Sequence, residues 1–183
     1  MALILVETLS DAPLTPENPT DTDFRVLQCL TERAATWRYS LLSSDRHRMI
    51  CTFYAPDAES VRESYRRAGG VFNSIWTATM IQPEGEQPQH REGYLKVFQG
   101  TYPQGFTEEQ WDEANRHLLP CYAERGVEWV QSYLSLDRTR VTCELNAPDA
   151  DIIREAHRRF DIPFDCVWSA MLIQLAATPD LTA

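Results

Sequence analysis

The chain repeats itself. The stretch "CTFYAPDAESVRESYRR" at residues 51–67 returns as "CELNAPDADIIREAHRR" at residues 143–159, 92 positions later. The same offset aligns the two halves without a gap over much of their length. Further matched pairs are Trp37 and Trp129, Asp45 and Asp137, Trp76 and Trp168, and Gln82 and Gln174. Agreement of this extent indicates a tandem duplication, so any fold must be built from two similar units.

Each copy is predicted to alternate strands and helices in the order βαββαβ. In the second copy "YLKVFQ" is typical of a strand, and "FTEEQWDEANRHLL" begins with a capping box of Thr107 and Gln110. The stretches "WVQSYLS" and "RVTCELN" flank Asp137 as a hairpin. Asp149 begins the second helix, and "CVWSAMLIQ" is the closing strand. This order defines a ferredoxin-like unit.

One such unit leaves the sheet face opposite its helices uncovered, and the second copy is the available partner. We therefore predict an α+β fold in which two ferredoxin-like βαββαβ repeats pack sheet to sheet as a pseudo-dimeric α+β barrel. The predicted domains are a first repeat at 1–82, a linker at 83–92 and a second repeat at 93–183. The linker "PEGEQPQHRE" has no hydrophobic residue and is rich in turn formers.

Composition excludes several functional classes. The formal net charge is -10, which disfavours binding to nucleic acid or to an anionic membrane. No apolar run approaches the roughly 20 residues that span a bilayer. Five cysteines without a CxxC spacing indicate neither a disulfide framework nor a zinc ribbon, so a cytoplasmic, reduced protein is expected. Phosphate-binding glycine loops, GxSxG and HExxH are absent from the sequence.

Residues 129–168 carry a pattern that is similar to a known family. Its members are small bacterial ferredoxin-like proteins of unknown function, and one branch binds nickel. The matching residues are Trp129, Ser132, Tyr133, Cys143, Ala147, Pro148, Asp149, Arg154, Glu155, His157, Pro163 and Phe164. Family members are single domains that dimerise, so the resemblance implies a tandem fusion that is either a monomeric pseudo-dimer or a homodimer. It also implies a divalent metal, nickel, as cofactor.

Differences between the copies are more informative about function than their agreements. Tyr65 of the first copy corresponds to His157 of the second, so a metal site that uses the helix histidine occurs at most once. A neutral imidazole at this position could bind a metal or move protons. Alternatively, His157 packs between helix and sheet with one hydrogen bond.

Glu144 takes the place of Thr52 on a strand in the middle of the sheet. Strand alternation places it between the sheets. The side chains predicted to join it there are Thr142, Asn146, Ser169, Met171, Ile50, Thr52, Tyr54, Thr77 and Thr79. A carboxylate in such a place is typical of a general base or a ligand. Alternatively, Glu144 lies in water near a barrel end.

Four aromatic residues alternate along the hairpin strands: Trp37, Tyr39, Trp129 and Tyr133. If they face the space between the sheets, they favour a planar apolar ligand there. If they face the helices, they belong to the core.

Three functional hypotheses follow. The favoured one is a protein that binds a metal ion, with His157 as a ligand, or a small hydrophobic molecule. The second is an enzyme of the monooxygenase or cyclase class that acts on a planar hydrophobic molecule between the sheets. Glu144 would be its base, and Tyr54 or Tyr133 would donate a hydrogen bond to a developing oxyanion. The third is a protein-interaction module. Whether the protein is an enzyme stays open at this point.

Overall fold

The computed structural model describes residues 1–174. The first repeat contains β1 (Ala2–Leu9), α1 (Asp21–Glu32), β2 (Thr36–Ser43), β3 (Arg48–Ala55), α2 (Ala58–Ala68) and β4 (Ser74–Ile81). The second repeat contains β5 (Leu95–Thr101), α3 (Glu108–Glu124), β6 (Glu128–Ser135), β7 (Arg140–Asn146), α4 (Ala150–Arg159) and β8 (Cys166–Ile173). The predicted βαββαβ order is confirmed in both repeats. Residues 83–92 lie between β4 and β5.

Side-chain caps set the helix starts. A capping box of Thr20 and Asp23 begins α1, and the predicted box of Thr107 and Gln110 begins α3. The Asp149 carboxylate accepts a hydrogen bond from a backbone N–H in the first turn of α4, and its counterpart in the first repeat does the same for α2. The repeated Ala-Pro-Asp-Ala motif therefore stops a strand and starts a helix, which is a structural role.

The eight strands form one closed antiparallel barrel in the order β1-β3-β2-β8-β5-β7-β6-β4. Strand β2 pairs with β8, and β4 pairs with β6, so the edges of each repeat join the edges of the other. Closure removes the open edges that a single repeat would present. The predicted pseudo-dimeric α+β barrel is confirmed.

Side chains from both repeats fill the barrel interior. This inner cluster includes Leu3, Leu5, Tyr39, Leu41, Ile50, Trp76, Leu95, Val97, Tyr133 and Ala170. Separate apolar clusters lie between each sheet and its own pair of helices. No helix within residues 1–174 has the length and apolar character needed to cross a membrane.

The closing strands β4 and β8 have the opposite phase from the predicted one. Trp76 and Trp168 face the barrel interior. The Trp76 indole N–H donates to a Glu7 carboxylate oxygen over 3.2 Å, and the Trp168 indole N–H donates to the Gln99 side-chain oxygen over 3.0 Å. Because these partners satisfy both indoles, the large rings can be buried there. The residues wrongly predicted to face inward are Thr77, Thr79, Ser169 and Met171.

A β-bulge in each hairpin divides the four alternating aromatics. The register shifts between Trp37 and Tyr39, and again between Trp129 and Gln131. An extra residue in a strand changes the face to which the following side chains point. Trp37 and Trp129 therefore pack toward the helices, whereas Tyr39 and Tyr133 face the barrel interior.

Candidate functional site

Glu144 lies at the centre of a hydrogen-bonded cluster inside the barrel. Its side chain is completely buried, so the alternative position in water is wrong. The Tyr39 hydroxyl donates to Glu144 Oε1 over 2.7 Å, and Gln131 Nε2 donates to Glu144 Oε2 over 2.8 Å. Tyr39 and Gln131 occupy equivalent positions in the two repeats. The cluster therefore lies where the two copies meet.

The linker completes this cluster. His90, in the segment between β4 and β5, places Nε2 2.5 Å from Glu144 Oε2. The Tyr133 hydroxyl contacts the Tyr39 hydroxyl and accepts a hydrogen bond from Gln131 Nε2 over 2.9 Å. Burial is the main cause that raises the pKa of both tyrosines, and the Glu144 charge adds to it. Both phenols therefore remain protonated donors.

The three predicted catalytic residues are not all brought together. Glu144 and Tyr133 share the buried cluster through Gln131 and Tyr39. Tyr54 is 40% exposed, and the guanidinium carbon of Arg38 lies 4.8 Å from its ring centre. Its hydroxyl is therefore not part of the cluster around Glu144.

A cavity of 690 Å³ lies outside the barrel, in the second repeat. It is bounded by α3, the end of α4 and the outer face of the sheet, next to the cluster in which Ile153 and Ala156 of α4 are buried. Its walls are mostly apolar and include Phe98, Phe106, Trp111, Trp129, Phe160 and Ile162. A volume of this size suits a small organic molecule.

Local sequence explains how α3 contributes to this cavity. Helix α3 starts at Glu108, whereas α1 starts at Asp21, which corresponds to position 113 of the second repeat. Pro19 of the first repeat corresponds to Trp111. Proline is disfavoured in a helix interior and is common at a helix start, which agrees with the later start of α1 and its lack of the extra turn. In α3 this turn carries Trp111, whose ring stacks with Phe106 at a centroid distance of 5.8 Å.

His157 is a buried polar residue of the cavity wall. Its ring is only 4% exposed and stacks on Phe98 at a centroid distance of 4.2 Å. Burial lowers the pKa of His157 to about 4, and the Ile162 backbone, which lies near the ring but outside hydrogen-bond geometry, offsets this in part, so the ring is neutral at pH 7. The Tyr122 hydroxyl lies 2.8 Å from His157 Nε2. His157 Nδ1 is buried and has no hydrogen-bond partner in the part of the chain that the structure describes.

The sequence did not reveal two features of these sites. His90 does not have ligand spacing with His157, and its partner Glu144 lies 54 positions away. The sequence suggested a space for a ligand only between the sheets, as one alternative, whereas this cavity lies beneath the helices. One signal was available, because large aromatic residues of the second repeat replace smaller ones of the first. These pairs are Leu14 and Phe106, Pro19 and Trp111, and Ala68 and Phe160.

The described side chains do not fit a nickel ion held at His157. No group of three or more His, Cys, Asp and Glu side chains suitable for a metal occurs within residues 1–174. Cys143 also lines the cavity, but burial raises the pKa of its thiol to about 12. A protonated thiol is a poor metal ligand.

Several solved structures are similar to this one over most of each chain. An anthrone oxidase-like protein is 13% identical, with a TM-score of 0.44, over 96% of this chain and 92% of that chain. A proposed chlorite dismutase is 10% identical, with a TM-score of 0.43, over 96% and 94%. A proposed monooxygenase from Lactobacillus acidophilus is 8% identical, with a TM-score of 0.41, over 97% and 99%.

None of the curated proteins matches the chain in sequence. A family model described as nickel responsive protein SCO4226-like matches residues 4–77 and again residues 97–169. Each match falls on one repeat, in agreement with the tandem duplication. The chain therefore belongs to the SCO4226-like family of nickel-responsive proteins, and it carries two copies of the family domain.

Proposed function

We propose that the protein binds a small apolar molecule in the cavity between α3, α4 and the sheet of the second repeat. The observation that carries this proposal is the cavity itself, whose 690 Å³ is bounded mainly by aromatic and aliphatic side chains. These walls would cover the apolar surface of a small organic molecule and remove it from water, which is favourable.

The enzymatic alternative inside the barrel has less support. Glu144 would be its base, with Tyr54 or Tyr133 as donor. Both Glu144 oxygens are already engaged by Tyr39, Gln131 and His90. Side chains of both repeats also fill the space that a substrate would need. A Glu144→Gln variant tests this alternative, because loss of an observed turnover would support it and full turnover would remove Glu144 from the mechanism.

Nickel binding is the second candidate, and the family description favours it. An ion at His157 would need further ligands from a second chain or from a small molecule, since the described residues supply too few. Titration with Ni²⁺, followed by native mass spectrometry, compares the wild type with His157→Phe. Nickel retention that is lost in the variant supports the site, and equal retention removes His157 from it.

Ligand binding can be tested with the neutral fluorescent probe N-phenyl-1-naphthylamine. The wild type should bind it saturably, with one site per chain. Ala114, on the cavity wall, provides a blocking variant, because Ala114→Trp fills the cavity and should abolish binding. The matched control is Thr22→Trp, the same change at the equivalent position of α1, and it should leave binding intact. Absence of probe binding by the wild type, or undiminished binding by Ala114→Trp, would overturn the proposal.

A further inference from the structure

The cavity of the second repeat combines an apolar floor with an acidic rim. The rim consists of three carboxylates, those of Glu109, Glu113 and Asp161, which line the cavity from exposed positions. No Lys or Arg belongs to the described lining. The buried side chains of the floor include Phe98, Leu118, Tyr122 and Leu145. This division favours a ligand with an apolar body and a polar group that is not negative.

Neighbouring cations neutralise the acidic rim only in part. Arg116 and His117 both contact Glu113. Glu109 and Asp161 form no ion pair within residues 1–174. A backbone hydrogen bond at Glu109 is the main cause that holds the pKa of this carboxyl below its usual range, so it is ionised at neutral pH. An anion would meet these two carboxylates after losing its water, which costs free energy.

Aromatic rings add a second attraction for positive charge. The face of an aromatic ring is negative and attracts a cation that lies within about 6 Å of the ring centre. One ring of the lining already has such a contact, because the guanidinium carbon of Arg159 lies 5.5 Å from the centre of Phe160. Arg159 brings one positive charge to this side of the cavity, fewer than the two ion-pair-free carboxylates of the rim. The other Phe, Tyr and Trp side chains of the lining are Phe98, Tyr102, Phe106, Trp111, Tyr122 and Trp129.

We propose that the ligand of this cavity is an organic cation with an apolar body, such as an aromatic quaternary ammonium compound. The apolar body lies on the buried floor, and the positive group lies at the rim near Glu109 and Asp161. The inference rests on the proposed function and adds the charge and the chemical class of the ligand.

Three naphthalene probes test the charge by displacement of N-phenyl-1-naphthylamine. They are trimethyl(2-naphthyl)ammonium, which is a cation, 2-acetylnaphthalene, which is neutral, and naphthalene-2-sulfonate, which is an anion. The wild type should bind the cation about tenfold more tightly than the anion. Added salt should weaken binding of the cation and leave that of the neutral probe nearly unchanged, because salt screens exposed charges.

Neutralising the rim should reduce this preference. The double variant Glu109→Gln/Asp161→Asn should bind the cation about fivefold more weakly and the neutral probe unchanged. The matched control is Glu17→Gln/Asp21→Asn, which makes the same change in net charge on the corresponding segment of the first repeat. It should bind all three probes as the wild type does. Ala114→Trp should abolish binding of the cation, because the cation occupies the cavity and not the acidic surface at large.

Several results would overturn the charge assignment. They are equal binding of cation and anion by the wild type, tighter binding of the anion, or cation binding that the rim variant or Ala114→Trp leaves undiminished. With N-phenyl-1-naphthylamine still bound in the cavity, each of these results leaves the proposed function standing. Failure of every naphthalene probe to bind would instead reject the proposed function.

Discussion

In the first repeat α1 packs closely on α2, whereas in the second α3 stands away from α4 over a cavity of 690 Å³. One position accounts for much of this contrast. A Cβ atom added to Gly70 would lie 2.6 Å from Val26 Cγ2, so only glycine allows α1 to approach this closely. The equivalent residue of the second repeat is Ile162, which lines the cavity. The comparison shows how a duplicated fold can keep one packed copy and open the other.

The two repeats also differ inside the barrel, at one pair of equivalent positions on β3 and β7. Thr52 of the first repeat donates from its hydroxyl to the Tyr39 carbonyl over 3.0 Å. Its counterpart Glu144 organises the buried cluster that also holds the linker through His90. Thus the second repeat carries both the buried carboxylate of Glu144 and the cavity on the outer face of its sheet.

Removing the carboxylate at position 144 should have the largest effect on stability. We expect Glu144→Ala to lower the free energy of unfolding by about 3–5 kcal/mol, because Tyr39, Gln131 and His90 lose a buried partner. The matched change Thr52→Ala should cost only about 1 kcal/mol. Urea unfolding of both variants measures the difference. Equal losses would show that the two positions do not differ as proposed.

His157 should make stability depend on pH in the acidic range, whereas its counterpart Tyr65 should not. The folded pKa of His157 is about 4, below the ordinary value of 6.5. Between these values the unfolded chain takes up a proton that the folded chain does not, so stability falls as the pH drops from about 6.5 to 4. The full loss from this residue is roughly 3 kcal/mol.

Urea unfolding at several pH values, compared among three proteins, measures this contribution. His157→Phe should lack it and lose less stability than the wild type on acidification. Tyr65→Phe should follow the wild type. A His157→Phe variant with the unchanged pH dependence would show that the histidine is not buried in its neutral form.

The close approach at Gly70 can be tested by a double-mutant cycle. Gly70→Ala should destabilise the protein by about 2 kcal/mol, because the added methyl group overpacks the contact with Val26. In a Val26→Ala background the same change should cost about half as much, since the Val26 methyl groups are gone and only Tyr65 Cδ1, 3.0 Å from the added Cβ, still opposes it. Additive losses in urea unfolding would mean that another contact fixes the position of α1.

The duplication, the order of elements, the helix caps and the barrel could be predicted because they depend on local pattern and on the repeat itself. Local pattern could not predict which face of β4 points into the barrel. The side chains of either face could be buried there, and the hydrogen bond from Trp76 to Glu7 favours the observed orientation. That bond joins residues 69 positions apart.

The sites were predicted only in part. Glu144 and His157 stood out as differences between the copies, and both are buried polar groups in the fold. His90 was missed because only barrel closure brings the linker next to Glu144. The cavity was missed because it depends on the distance between helix and sheet, which follows from tertiary contacts such as that of Gly70 rather than from periodicity.

The smallest expected effect concerns Pro120, which lies inside α3 where the first repeat has Gln28. Proline lacks an N–H group, so the carbonyl of Arg116 loses its usual partner within the helix. Pro120→Gln should restore that bond and raise the free energy of unfolding by about 1 kcal/mol. If the proline also helps to hold α3 away from the sheet, N-phenyl-1-naphthylamine should bind this variant more weakly than the wild type. Greater stability with unchanged probe affinity would assign the opening to Ile162 and the extra turn of α3 instead.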